Sequence, residues 1–203
     1  MLATRIRQKD GIFYFASIPA KDILAKVRFI SRFYGEGDQG IAPQVISQSD
    51  EIAQFIARIE HNDAAFQRQL SRAKVRALKN FYEMAVSQPP IPGTVLLFTS
   101  EKLAFTPLSG EQSVGNLQDS NAKFLIIDGQ HRLAALQFYL RERPGEGNNI
   151  HVPCVIFDGR SEDFAAEMFV IINSTPTRIN KSHLVDLYER ISWAEPDRRF
   201  AAR

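Results

Sequence analysis

Asp128-Gly129-Gln130-His131-Arg132 sets a carboxylate, an amide, an imidazole and a guanidinium on consecutive residues around one glycine. These groups suit phosphate chemistry. Arg grips two phosphate oxygens at once, Gln and His can donate to others, and glycine lets a phosphate come close to the backbone. The binding candidates are therefore Gly129, Gln130, His131 and Arg132. Asp128 can hold a divalent ion such as Mg²⁺ or orient a water, and Asp128 with His131 forms the candidate catalytic pair.

The elements around these residues position them. Phe124 to Ile127 is a short apolar, partly β-branched run that reads as a buried strand, and Asp128-Gly129 breaks it. From Arg132 the chain carries Leu133, Leu136 and Leu140 at helical spacing, with no Pro or Gly until Pro144. The polar cluster thus falls where a strand ends and a helix begins. The first N–H groups of a helix lack intrahelical partners and carry the positive end of its dipole, so the junction is suited to an anion. The competing reading is that Asp128 caps the helix and the other side chains face solvent.

The string DGQHR followed by Leu133-Ala134-Ala135-Leu136 resembles the DGQHR-domain family, which includes the DndB and DpdB proteins of DNA-modification systems. Phe169 to Asn173, then Arg178 with Lys181-Ser182, is similar to that family's second block. More distantly, both blocks resemble the ParB/sulfiredoxin fold, in which an Arg-rich turn at a helix start holds nucleotide phosphates. The resemblance implies an α/β (α+β) domain with a small mixed sheet flanked by helices. It adds Asn173, Thr175, Arg178 and Lys181 to the nucleotide-binding candidates, ATP or CTP with Mg²⁺ as the cofactors, and DNA and DNA-modification enzymes as partners. It assigns residues 1–192 to one domain with a helical insertion at about 50–86, and 193–203 to a tail that can open a further region. Asn173 and Arg178 are five residues apart, where ParB-like proteins have three.

A second cluster of charge lies earlier. Asp63 can cap a helix running to about Met84, with Phe66, Leu70, Ala73, Ala77, Phe81 and Met84 along one side. Arg68, Arg72, Arg76 and Lys79 then fall within one narrow stripe, since a helix turns about 100° per residue. Such a row can follow a DNA backbone or meet nucleotide phosphates, and the alternative is a solvated face. Gln67-Arg68 also looks like the QR-containing segment that precedes the DGQHR word in the family.

The remaining chain supports this frame. Its 203 residues, 44% hydrophobic and 24% charged, suit an ordinary globular domain able to bury a core. The net charge of +2 is too small to imply nucleic-acid binding by bulk electrostatics. The cations lie forward: residues 1–100 hold 13 Lys and Arg against 9 Asp and Glu, residues 101–203 hold 12 against 14. No apolar run approaches a membrane span and the N-terminus leads into no signal core, so a cytoplasmic protein without membrane contact is expected. The single Cys154, in an apolar run, reads as a small core residue, and no intrachain disulfide can form. His61, His131, His151 and His183 lie in separate elements without zinc spacing, and P-loop and G-x-S-x-G patterns are absent.

Strands are expected at Ile12 to Ile18, at Thr94 to Thr99 with a hairpin partner within Lys102 to Leu108, and at His151 to Phe157. Ser109 to Ala122 reads as a surface loop. Strand, helix and strand over residues 124–157 suggest a parallel pair joined by a right-handed crossover. Asp50 and Ser161 can cap further helices, and Lys21 to Phe33 reads as either helix or irregular chain.

Two functions follow as expectations. The first is a nucleotide-phosphate-binding domain, with or without ATP or CTP hydrolysis. The second is a DNA-binding regulator without catalysis, using the basic stripe. An interaction module with an inherited but inert pocket is a third, and self-association is open.

Overall fold

The computed structural model describes residues 1–31, 51–58, 60–61, 70–84 and 93–174. Strand β1 (Leu2–Gln8) turns at Lys9-Asp10 into β2 (Gly11–Pro19), and the two pair antiparallel from Thr4↔Phe15 to Gln8↔Gly11. Pro19 ends β2, and α1 (Ala20–Lys26) follows, then β3 (Val27–Arg28) and β4 (Ile30–Ser31). The stretch from Lys21 is therefore half helix and half strand. Next come α2 (Glu51–Arg58), β5 (Glu60–His61) and α3 (Arg72–Glu83). The second half contains β6 (Val95–Thr99), β7 (Phe105–Pro107), β8 (Val114–Leu117), β9 (Phe124–Asp128) and α4 (Gln130–Glu142). A 3-10 turn at Pro144–Asn148, β10 (His151–Asp158) and α5 (Glu162–Ser174) complete the described chain. Ser161 Oγ accepts the Phe164 N–H, the cap expected at the start of α5.

Eight strands form one mixed sheet in the order β3-β9-β6-β10-β2-β1-β8-β7, so the expected mixed α/β class holds. Its pairings correct three sequence expectations. β6 lies between β9 and β10, parallel to β10 and antiparallel to β9, so the strands flanking α4 are not a parallel pair. β7 pairs with β8 rather than with β6. β8 itself falls inside the stretch expected to be loop, and it is held there by the buried Leu117.

Alternation along the strands divides the core. Phe124 and Ile126 of β9, Val95 and Leu97 of β6, and Cys154 and Ile156 of β10 face α1 and α4. Leu125, Ile127, Leu96, Phe98 and Phe157 face α5, where they meet Ala165, Met168 and Ile172. On its far side α4 meets α2 and α3: Ala134, Ala135 and Phe138 join Ile52, Ile56, Leu70 and Val75. α4 is thus buried front and back, which holds its first turn rigidly against the sheet. Among the described residues no helix is long and apolar enough to cross a membrane. Cys154 is fully buried, and burial pushes its thiol up to about 12.

Candidate functional site

β9 delivers the motif. Because side chains alternate, Asp128 emerges on the same face as Phe124 and Ile126, toward α4. Gly129 then turns the chain with φ 97° and ψ 10°, a left-handed conformation that L side chains rarely adopt. A Cβ there would fall 2.9 Å from Val95 Cγ2 and 3.3 Å from Arg132 Nη2. Gly129 is the N-cap of α4, its carbonyl accepts the Leu133 N–H at 3.1 Å, and no side chain caps the first turn. The competing reading, in which Asp128 caps the helix, is therefore corrected. Asp128 Oδ2 instead accepts from Arg132 Nη2 at 3.0 Å, one helical turn on.

Arg132 is fixed from several sides. Its Nη2 also donates to the Thr94 carbonyl at 2.8 Å, which ties the helix to the entry of β6. Gly93, at φ 128°, makes room for the guanidinium, since a Cβ there would meet Arg132 Nη1 at 2.6 Å. Two glycines separated by 36 positions in sequence thus bracket one arginine. The arginine's side chain is 21% exposed, so it remains reachable while its orientation is set.

His131 looks the other way. Its Nε2 lies 2.9 Å from the backbone nitrogen of Ser71, the N-cap of α3. A backbone N–H can only donate, so Nε2 is the bare nitrogen and the proton of the neutral ring sits on Nδ1. Burial lowers the pKa of the ring and nearby Lys74 lowers it further, while Asp128 acts in the opposite sense. His131 therefore joins the starts of α3 and α4, and only its Nδ1–H remains to meet a ligand. Two helix N-termini and Lys74 raise the local potential around it. Gln130 is buried beside this junction.

The described part of the basic stripe lies on α3. Of the helix expected from Asp63 to about Met84, Leu70 and Ser71 are not helical: buried Leu70 packs inward and Ser71 Oγ accepts the Lys74 N–H. α3 begins at Arg72. Arg72, Lys74 and Arg76 are exposed on its first two turns. Lys79 is engaged within the fold, 2.7 Å from Glu83 and 2.9 Å from Glu142, and hydrogen bonds to Glu142 and then Glu83 raise its pKa. Arg68 lies outside the described residues, as do the caps expected at Asp50 and Asp63.

The second block is placed in part. Asn173 is in the last turn of α5, across the sheet from α4, and its Nδ2 donates to the Phe169 carbonyl of its own helix at 2.8 Å. Thr175, Arg178, Lys181 and the tail lie outside the described residues. Among the described residues no group of three or more His, Cys, Asp or Glu can hold a metal ion. Asp128 offers a single carboxylate, which suits a hard cation held mainly by phosphate oxygens.

Sequence reasoning missed a cavity of about 310 Å³ beside α4, bounded by Arg132, Leu136 and Tyr139, by Tyr82 of α3, and by Glu146 and Pro153. Burial pushes the Tyr82 hydroxyl up to about 12. The signal in the sequence was Gly93, a residue without a Cβ where a Cβ would meet Arg132 Nη1 at 2.6 Å.

The family model for DndB, described as DNA-sulfur modification-associated, matches residues 2–196. No curated protein matches the chain. Among solved structures it is similar to the C-terminally truncated chromosome-partitioning protein ParB from Caulobacter crescentus complexed with CTP-gamma-S. That likeness covers 93% of this chain and 69% of the other, at 11% identity and a TM-score of 0.43.

Proposed function

The chain belongs to the DndB family of DNA-sulfur modification-associated proteins, and from that premise we propose that it is a nucleotide-binding component of a DNA-modification system. In this reading ATP or CTP is held by its phosphates on the turn between β9 and α4. The observation that carries it is the start of α4: a glycine N-cap at positive φ, no capping side chain, and an arginine anchored alongside. An anion meets there the positive end of the helix dipole, close backbone approach over Gly129 and a prepositioned guanidinium.

Arg132 binds phosphate oxygens through the part of its guanidinium not used by Thr94 and Asp128. Gln130 and the Nδ1–H of His131 add donors, and the resemblance of the second block to that of the family supports Asn173, Thr175, Arg178 and Lys181 as further ligands of the nucleotide. Asp128 would be the residue to hold Mg²⁺, which would supply neutralisation of phosphate charge. If the bound nucleotide is hydrolysed, Asp128 is the group that orients the attacking water. The test is a thermal-shift series with ATP and CTP, each with Mg²⁺, on wild type and Arg132→Ala. A nucleotide at 100 times its Kd adds about 2.7 kcal/mol, a rise in Tm of about 5–10 °C for a chain of this size. A shift retained in Arg132→Ala, or no shift in wild type, rejects the reading.

The exposed Arg72 and Arg76, one turn apart on α3, favour a second role, contact with the DNA backbone. Each phosphate contact contributes about 0.9 to the slope of log affinity against log salt, so Arg72→Ala with Arg76→Ala should flatten it by about 1.8. An unchanged slope removes this role.

A further inference from the structure

The cavity beside α4 opens from the same arginine that serves the phosphate turn. Arg132 lies in the first turn of α4 and Tyr139 seven residues later, about 10 Å along the helix. Leu136, Tyr82 and Pro153 contribute apolar and aromatic lining. Tyr82 and Tyr139 stand with ring centroids 5.9 Å apart. Away from Arg132 the lining turns polar: the Tyr139 hydroxyl donates to Glu146 Oε2, and Arg143 Nη1 lies 3.4 Å from that hydroxyl and 3.7 Å from Glu146 Oε1. The Glu146 side chain is 42% exposed, and its carboxylate keeps lone pairs beyond the one that accepts from Tyr139.

This layout has one cation at the phosphate turn, an apolar middle and an acceptor two helical turns away. It matches the order of groups along a nucleotide: phosphate, sugar and flat base, then the base edge. Ligand sites are commonly about 300 Å³ or more, so 310 Å³ suits one base and its sugar. We propose that the cavity receives the nucleoside of the nucleotide whose phosphates lie on the 129–132 turn, and that Glu146 reads an exocyclic amine on adenine or cytosine. The inference rests on the phosphate-site reading above and deepens it. A carboxylate only accepts hydrogen bonds. Adenine and cytosine present an N–H₂ donor at the position where guanine and uracil present a carbonyl oxygen, whose lone pairs oppose the carboxylate.

Isothermal titration of the full chain with ATP, CTP, GTP, UTP and inorganic tripolyphosphate tests both parts. ATP and CTP should bind at least about tenfold more tightly than GTP, UTP or tripolyphosphate. Glu146→Gln, whose amide can donate as well as accept, should bring GTP and UTP to within a few fold of ATP and CTP. Leu136→Phe, which narrows the cavity, should weaken ATP while leaving tripolyphosphate unchanged. Equal affinity for all four nucleotides and tripolyphosphate overturns the nucleoside assignment and leaves the phosphate site standing. An ATP to GTP ratio unmoved by Glu146→Gln overturns the role of Glu146. Absence of binding by every probe, tripolyphosphate included, overturns the phosphate site and the nucleoside assignment together.

Discussion

Substituting His131 by Gln separates two properties of the imidazole: its hydrogen bond to Ser71 and its titration. The glutamine amide oxygen can reach the Ser71 N–H much as Nε2 does, but it takes up no proton near neutrality. In the folded protein burial, and then Lys74, lower the His131 pKa from its ordinary 6.5, with Asp128 opposing. The unfolded chain therefore binds the proton more readily, and stability must fall as pH drops below the unfolded value. One proton limits that loss to about 1.4 kcal/mol per pH unit, and it continues until the folded-state pKa is reached. Protonation at Nε2 also removes the acceptor for Ser71, so the start of α3 loosens together with the site. Urea unfolding of both proteins between pH 7.5 and 5.5 measures this directly, because the other histidines and the carboxylates titrate in both and cancel in the difference. The wild-type advantage should be constant above pH 7 and shrink steadily below 6.5. Parallel stability curves would refute the placement of His131 as a neutral acceptor.

Gly129→Ala forces an alanine to φ 97° with its Cβ 2.9 Å from Val95 Cγ2, so it should cost about 1–2 kcal/mol in urea unfolding and weaken nucleotide binding. An alanine there with wild-type stability would mean the turn is not left-handed. Asp158 is buried and its Oδ2 accepts the Leu103 N–H at 2.8 Å, while Oδ1 meets Lys102 Nζ at 3.0 Å. Asp158→Ala leaves that N–H without its acceptor and should destabilise by about 1–3 kcal/mol at pH 7 by the same assay. Cys154, with a thiol raised to about 12, should resist a thiol-specific disulfide reagent in native buffer and react fully in denaturant.

The central junction was legible because its signals are local. An apolar run, an Asp-Gly break and leucines at helical spacing mark β9, the turn and α4 without reference to the rest of the chain. What escaped was non-local. β1 reads L-A-T-R-I-R-Q, polar enough to pass for a terminus, and becomes a strand by pairing with both β2 and β8. β8 has four residues inside a polar stretch, and the pairing partner that defines it cannot be read from them. The insertion of β6 between β9 and β10 is a choice of neighbours, which strand-helix-strand order does not fix. Ahead of α3, the apolar spacing takes in Leu70 although the helix starts at Arg72, because Leu70 is buried in the cluster with Ala134, Ala135 and Phe138 of α4 rather than by belonging to the same helix. In the site, types and order were readable, but partners were not. The bonds of Arg132 to Thr94 and of His131 to Ser71 span 38 and 60 positions, and they decide which atoms remain for a ligand.

The central claim is that nucleotide phosphates rest on the first turn of α4. Residue-resolved amide hydrogen exchange of Gln130, His131 and Arg132, with and without saturating ATP or CTP and Mg²⁺, addresses those N–H groups themselves. The account predicts slowed exchange at these three amides in wild type and no slowing in Arg132→Ala. Unchanged exchange at all three in wild type, under the same nucleotide concentrations, would contradict it.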